Sequence, residues 1–362
     1  MVKKLFAEEL LEQSRESVLY EVLDARRLRC LACGHRCPIA EGQAGVCQVR
    51  FHREGKLLAP HGYVNTLQCD PIEKKPFFHV RPGALAMSFG MLGCDLHCGY
   101  CQNWVTSQAL RDARSTLDFT RVTPEQIVET AVDCGAEVVV STYNEPLITA
   151  EWAMDVFREA RRAGLLTGFV SNGNATPEVL KYLRPWLDLY KVDLKGFDDR
   201  KYRELGGRLG PILDSIQRIH EMGFWLEIVT LVVPGFNDTE AELREMARFI
   251  AGVSDEIPWH VTAFHQDYKM VQIQNTARAS LVRAAEIGRE AGLKFVYVGN
   301  LPGMVEALED TRCAGCGAAL VRRRGFRILD NRVGAGGRCP ECSASVAGIW
   351  TRAGALRAAN WN

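Results

Sequence analysis

The 362-residue sequence has no long apolar run; its stretch 228–233 is far short of the roughly 20 residues that a membrane span needs. It has no net charge, since 44 Lys and Arg balance 44 Asp and Glu. No global field therefore draws nucleic acid or an anionic membrane to it. The N-terminal stretch MVKKLFAEELLEQSRESVLYEVL lacks an uninterrupted apolar core and a small-residue cleavage site, so it does not read as a signal peptide. A cytoplasmic protein is expected, without membrane partners. With 47% hydrophobic and 24% charged residues the composition is that of an ordinary globular protein. The length fits one large domain with appendages.

Cysteine, by contrast, is abundant. Eleven of the 13 cysteines fall into three tight groups: Cys30/Cys33/Cys37/Cys47, Cys94/Cys98/Cys101 and Cys313/Cys316/Cys339/Cys342. In a reducing compartment such spacing marks metal sites rather than disulfides. Cys134 closes an expected helix and reads as packing; Cys69 has no assigned role.

Between the outer groups, strand-like and helix-like segments alternate. Residues 84–89, 137–142, 166–170, 189–194, 226–233, 260–264 and 295–298 are short, apolar and rich in β-branched or aromatic residues, as strands buried on both faces are. Thr123-Pro124-Glu125-Gln126 offers an N-cap, a first-turn proline and a capping-box glutamine. Thr176 and either Asp238 or Thr239 start further helices, and Gly164, Gly223 and Gly292 stand where helices end. This alternation implies a parallel sheet with crossover helices. Six or seven units point to a partial (β/α)6-type TIM-like barrel, with a flat doubly wound sheet as the alternative. The expected division is a helix over 1–29, a Cys-rich module and lead-in over 30–80, the barrel over 81–305 and a zinc-ribbon-like module over 306–362.

Three thiols in GCDLHCGYCQN, spaced Cys94-x3-Cys98-x2-Cys101, can grip three irons of a 4Fe-4S cluster and leave the fourth open to a substrate. The spacing resembles that of radical S-adenosylmethionine (SAM) enzymes. A zinc knuckle short of one ligand, or buried reduced thiols, is the plainer reading. The loop follows the first expected strand of the barrel, and such barrels build active sites from loops at strand C-termini.

Polar residues recur at the other strand ends: Ser141-Thr142-Tyr143-Asn144-Glu145-Pro146, Ser171-Asn172-Gly173-Asn174, Asp193-Leu194-Lys195-Gly196, Val233-Pro234-Gly235-Phe236-Asn237-Asp238 and Phe264-His265-Gln266-Asp267-Tyr268. Each alone reads as turn chemistry; together on one rim they suit SAM. Lys195 offers a cation to its carboxylate and the Tyr143–Glu145 turn offers acceptors to its ammonium. Asp193, Ser171 and Asn172 suit the ribose diol. An ordinary ion pair is the plainer reading of Asp193 and Lys195.

The string CLACGHRCPIAEGQAGVCQVR, DPIEKKPFFH, CQNW, TYNEP, SNGN, VDLKGF and VVPGFND, with the cysteine-paired tail, resembles pyruvate formate-lyase activating enzyme. It is more closely similar to the radical SAM member of the AmmeMemoRadiSam system. The resemblance implies cluster ligation by Cys94, Cys98 and Cys101. It also implies SAM contacts from Tyr143, Asn144, Glu145, Ser171, Asn172, Asp193, Lys195 and His265. A reduced ferredoxin or flavodoxin would supply the electron for cleaving SAM to a 5′-deoxyadenosyl radical, which abstracts hydrogen from the substrate. Memo-like and AMMECR-like proteins are implied as partners. The substrate is either a glycyl-radical-type protein or a small molecule. Tyr-Asn-Glu replaces the superfamily's usual Gly-Gly-Glu, Val229 stands about where the activating enzyme has arginine, and that enzyme lacks the flanking cysteine modules.

Cys30, Cys33, Cys37 and Cys47 suit either a closed zinc site or an auxiliary iron–sulfur cluster, with free thiols a third option. Cys313-x2-Cys316 and Cys339-x2-Cys342 have the paired spacing of a structural zinc ribbon. The tail 311–362 carries nine Arg and two acidic residues, including Arg322-Arg323-Arg324. It reads as a solvated basic face that balances the acidic N-terminal segment, and a nucleic-acid role is not expected. The rival to a radical enzyme is a non-catalytic scaffold braced by metal modules.

Overall fold

The computed structural model describes residues 9–112, 114–115 and 118–350. Its centre is an eight-stranded sheet: β1 (Thr66–Pro71), β2 (Leu85–Gly90), β3 (Ala136–Ser141), β4 (Leu166–Ser171), β5 (Leu189–Asp193), β6 (Trp225–Val232), β7 (Trp259–Ala263) and β8 (Val296–Gly299). The strands lie side by side in chain order, without the order reversal of a doubly wound sheet. Seven run parallel; β1 pairs antiparallel with β2, Thr66 opposite Gly90. The order is linear, with β1 and β8 at its edges, as in a partial barrel.

Burial on both faces explains the apolar runs. Val138, Val140, Leu166 and Leu189 pack inward against Ile72, Phe77 and Val80 of the lead-in, which plugs the floor. Val139, Phe169, Tyr190 and Ile228 face the helical layer. That layer includes α1 (Pro124–Asp133), α2 (Ala150–Arg162), α3 (Pro177–Leu183), α4 (Leu209–Glu221), α5 (Glu240–Val253) and α6 (Arg278–Glu290). Thr123 closes a full capping box on α1; Thr176 and Thr239 cap α3 and α5. Gly164, Gly223 and Gly292 take positive φ just after α2, α4 and α6. Among the described residues no helix is long and apolar enough to cross a membrane.

Three expectations are corrected. Of the N-terminal helix, residues 1–8 lie outside the described residues and 9–12 are helical, but strands follow at Ser14–Glu16, Tyr20–Asp24 and Arg27–Cys30. The reason is a two-residue period: Leu19 is buried between exposed Val18 and half-buried Tyr20, and Val22 pairs with Leu28 across a hairpin held by Glu21–Arg29 at 2.7 Å. The basic tail is also not wholly solvated. Arg323 is fully buried, its guanidinium 4.4 Å from the Phe78 ring centre, and donates to Phe78 O at 2.7 Å.

Arg323 belongs to a network that joins the C-terminal sheet (Thr311–Arg312, Ala319–Arg324, Arg327–Asn331) to the barrel floor. Buried Glu227 on β6 accepts from Phe78 N, His79 N, Trp225 Nε1 and His260 Nε2 within 3.0 Å. His79 in turn meets Ala347 O at 2.6 Å and the Tyr297 hydroxyl at 2.5 Å. Cys134, read as packing, instead pairs with Cys69 as a disulfide between β1 and the end of α1. Both cysteines are half-buried and pack against the main core.

Candidate active site

The loop after β2 carries Cys94, Cys98 and Cys101, and two glycines let it turn against its neighbours. A Cβ on Gly90 would lie 2.8 Å from Thr142 O, and one on Gly93 (φ +93°) 2.8 Å from Val49 Cγ1. Cys98 is buried, with Cys94 and Cys101 partly so. They pack with Leu96, Tyr100, Val233 and Phe264. Leu96 N donates to Cys94 Sγ at 3.4 Å, and Ser107 Oγ lies 3.2 Å from Cys101 Sγ.

Burial pushes the Cys98 thiol up to about 12. Burial, then the charges of Asp95 and Glu145, raises Cys94 as well. A thiolate here therefore needs a cation beside it, and a metal centre supplies one. Three soft ligands in a dry loop, one already accepting an N–H bond, fit three corners of a 4Fe-4S cluster.

The strand-end residues converge on this loop. Asp95, fully buried between the first two ligands, accepts from Asn172 Nδ2 at 2.7 Å and Asn174 Nδ2 at 2.8 Å. Glu145 accepts from Ser171 Oγ and Asn172 N at 2.7 Å and from Leu147 N at 3.1 Å. Burial first, and then Asp95, lifts Glu145 to about 8. Asn144 Oδ1 accepts from Met91 N at 3.0 Å, which ties the two loops. Tyr143, at φ +71°, sends its hydroxyl inward to Ser88 Oγ (2.9 Å) and Lys75 Nζ (3.3 Å). Lys191 Nζ on β5 and Lys195 Nζ just beyond it flank the Asp193 carboxylate, the latter at 3.3 Å. Lys195 also neighbours Cys98 electrostatically. His265 is apart: it is exposed, and its ring Nδ1 lies 3.3 Å from Gln266 O of the neighbouring residue.

Sequence reasoning missed Asp95, Lys191 and Lys75. An acidic residue directly after a ligand cysteine was the available signal for Asp95. Lys191 shares the inward-facing alternation of Asp193 and Lys195. Nothing local marked Lys75.

At the far end, Cys313 and Cys342 sulfurs lie 3.5 Å apart and Cys316 and Cys339 sulfurs 3.7 Å apart; all four fall within 4.8 Å of one another. They form a four-thiol metal site.

A family model of the radical SAM superfamily matches residues 90–250. The chain is 36% identical over 336 residues to the uncharacterized protein MJ0808 of Methanocaldococcus jannaschii, covering 92% of this chain and 98% of that one. It is 26% identical over 184 residues to pyruvate formate-lyase-activating enzyme of Staphylococcus aureus strain USA300, covering 48% of this chain and 72% of that one. Among solved structures, a domain of pyruvate-formate lyase-activating enzyme from Bacteroides vulgatus aligns at 20% identity and a TM-score of 0.41, over 45% of this chain and 98% of that one. The chain belongs to the radical SAM superfamily. Within it, the chain is an enzyme related to the activating-enzyme-like proteins.

Proposed function

We propose that this enzyme cleaves SAM reductively and abstracts hydrogen from a glycine Cα–H of a glycyl-radical-type protein. The carrying observation is the buried three-thiol loop, with Lys195/Asp193 on one side and Asp95, Asn172 and Glu145 on the other. A 4Fe-4S cluster with SAM, when bound, supplies one-electron cleavage of the sulfonium and a 5′-deoxyadenosyl radical. Cys94, Cys98 and Cys101 hold that cluster.

Lys195, its charge shared with Asp193, binds the carboxylate of SAM. Asp193 and the Ser171/Asn172 pair orient the ribose, and the Tyr143–Glu145 turn receives the ammonium. Leu96, Tyr100, Val233 and Phe264 keep water from the reacting atoms. The open sheet between β1 and β8 leaves a side through which a loop of another protein reaches the interior.

Similarity to the activating enzymes supports a reduced low-potential donor, ferredoxin or flavodoxin, as electron source. The sequence motifs support membership of the AmmeMemoRadiSam group, with Memo-like and AMMECR-like partners testable by co-purification. The C-terminal quartet holds structural zinc: tetrahedral Zn–S bonds of about 2.3 Å set sulfurs about 3.8 Å apart, close to the observed spacing.

The test is deuterium transfer. Reduced enzyme with SAM and a protein deuterated at glycine Cα should yield deuterated 5′-deoxyadenosine. Label arriving only from deuterated metabolites would replace the protein substrate with a small molecule.

A further inference from the structure

We infer that Cys30, Cys33, Cys37 and Cys47 hold a second iron–sulfur cluster, placed to pass electrons to the one on Cys94, Cys98 and Cys101. The relay rests on the radical SAM reading above; the site itself does not.

The three cysteine groups form an internal comparison. The C-terminal quartet has the contracted spacing of a zinc tetrahedron. Among the described residues, no three sulfurs of the N-terminal quartet come within 4.8 Å of one another, and neither do those of the loop triplet. The N-terminal thiols are therefore not contracted around a single ion as the C-terminal quartet is. The N-terminal four are nonetheless gathered. Cys30 N donates to Cys37 O at 3.0 Å, Val46 N to Cys37 Sγ at 3.5 Å, and Cys30 is an electrostatic neighbour of the other three. Cys30, Cys33 and Cys47 are buried, and Cys37 alone is half-exposed.

A second observation points to an occupant. Arg50 is 1% exposed and neighbours both Cys30 and Cys47. Its other nitrogens bind Ile148 O and Glu151, yet among the described residues its buried Nε has no hydrogen-bond partner. Cluster sulfurs accept such N–H groups, which also tune reduction potential.

The placement fits a relay. Gly34 N donates to Asn174 O at 2.8 Å, Asn174 Nδ2 donates to Asp95 Oδ2 at 2.8 Å, and Asp95 is bonded to Cys94. His35 Nε2 lies 3.1 Å from Asp95 O. One electron arrives from an external low-potential flavin or iron–sulfur donor and one leaves toward the loop; no bond is made or broken. Zinc has no redox chemistry and cannot serve.

Metal content and Mössbauer spectra of anaerobically produced full-length protein test this. Wild type should carry about eight irons and about one zinc per chain. The triple variant Cys94→Ala/Cys98→Ala/Cys101→Ala should keep about four irons in a cluster indifferent to SAM. The variant Cys30→Ser/Cys33→Ser should keep the SAM-responsive cluster but be reduced by flavodoxin at least about tenfold more slowly. A triple variant with no iron and about two zincs would overturn the inference. If the wild type then held about four SAM-responsive irons, the functional reading would stand without it.

Discussion

Acidification should loosen the joint between the barrel floor and the C-terminal module, and His79 sets the size of the effect. Burial lowers its pKa from an ordinary 6.5 to about 4. Nδ1–H donates to Ala347 O, so Nε2 must accept from the Tyr297 hydroxyl, which in turn accepts from Thr311. Protonating Nε2 forces that relay to reverse and places a charge in a buried site. A histidine with a depressed folded value adds stability above about pH 6.5 and loses it as pH falls toward 4. At about 1.4 kcal/mol per pH unit, the loss between pH 7 and 5 is about 2 kcal/mol and the complete loss about 3 kcal/mol. Urea unfolding at pH 7, 6 and 5, followed by tryptophan fluorescence, measures it, because Trp225 and Trp350 flank the ring. Wild type should lose about 2 kcal/mol more than His79→Gln across that range, while other titrating groups cancel between the two proteins. Parallel pH profiles would refute the reasoning.

Glu145, held near 8, must shed a proton before it can favour an arriving ammonium. SAM affinity should therefore rise up to about tenfold between pH 7 and 9, and Glu145→Gln should flatten the profile in equilibrium titrations. Gly93→Ala puts a Cβ against Val49 and Cys47 O at a positive φ. It should cost about 2–4 kcal/mol and reduce iron retained on the loop, read by thermal melting and iron content. Stripping the Cys313/Cys316/Cys339/Cys342 metal with a zinc chelator should expose the peptide bonds of 311–350 to protease before those of the barrel; uniform cleavage would contradict a locally structural role.

The parallel strands were legible because each is buried on both faces and so reads as a bare apolar run. Leu166 and Leu189 start β4 and β5 as expected. Antiparallel β1 was not legible: Thr66–Pro71 is half-buried and mixes Gln68, Cys69 and Asp70 with its apolar residues. The N-terminal segment was misread because Glu-rich composition outweighed the two-residue alternation around Leu19. At the site, the cysteine spacing marked the loop, and the residues beside it, except His265, converge there. What sequence cannot show is partnership over distance. Asp95 meets Asn172 and Asn174 across more than 70 positions, and His79 meets Ala347 across 268. Arg323 looked like a surface charge until the Phe78 and Tyr297 rings closed over it.

The vacant iron is the central claim, and electron-nuclear double resonance of the reduced protein with SAM labelled at its amino nitrogen and carboxylate tests it most directly. Hyperfine coupling from both labels to the cluster, lost in Cys94→Ala, is the result expected. A cluster signal that carries no coupling from either label would contradict it.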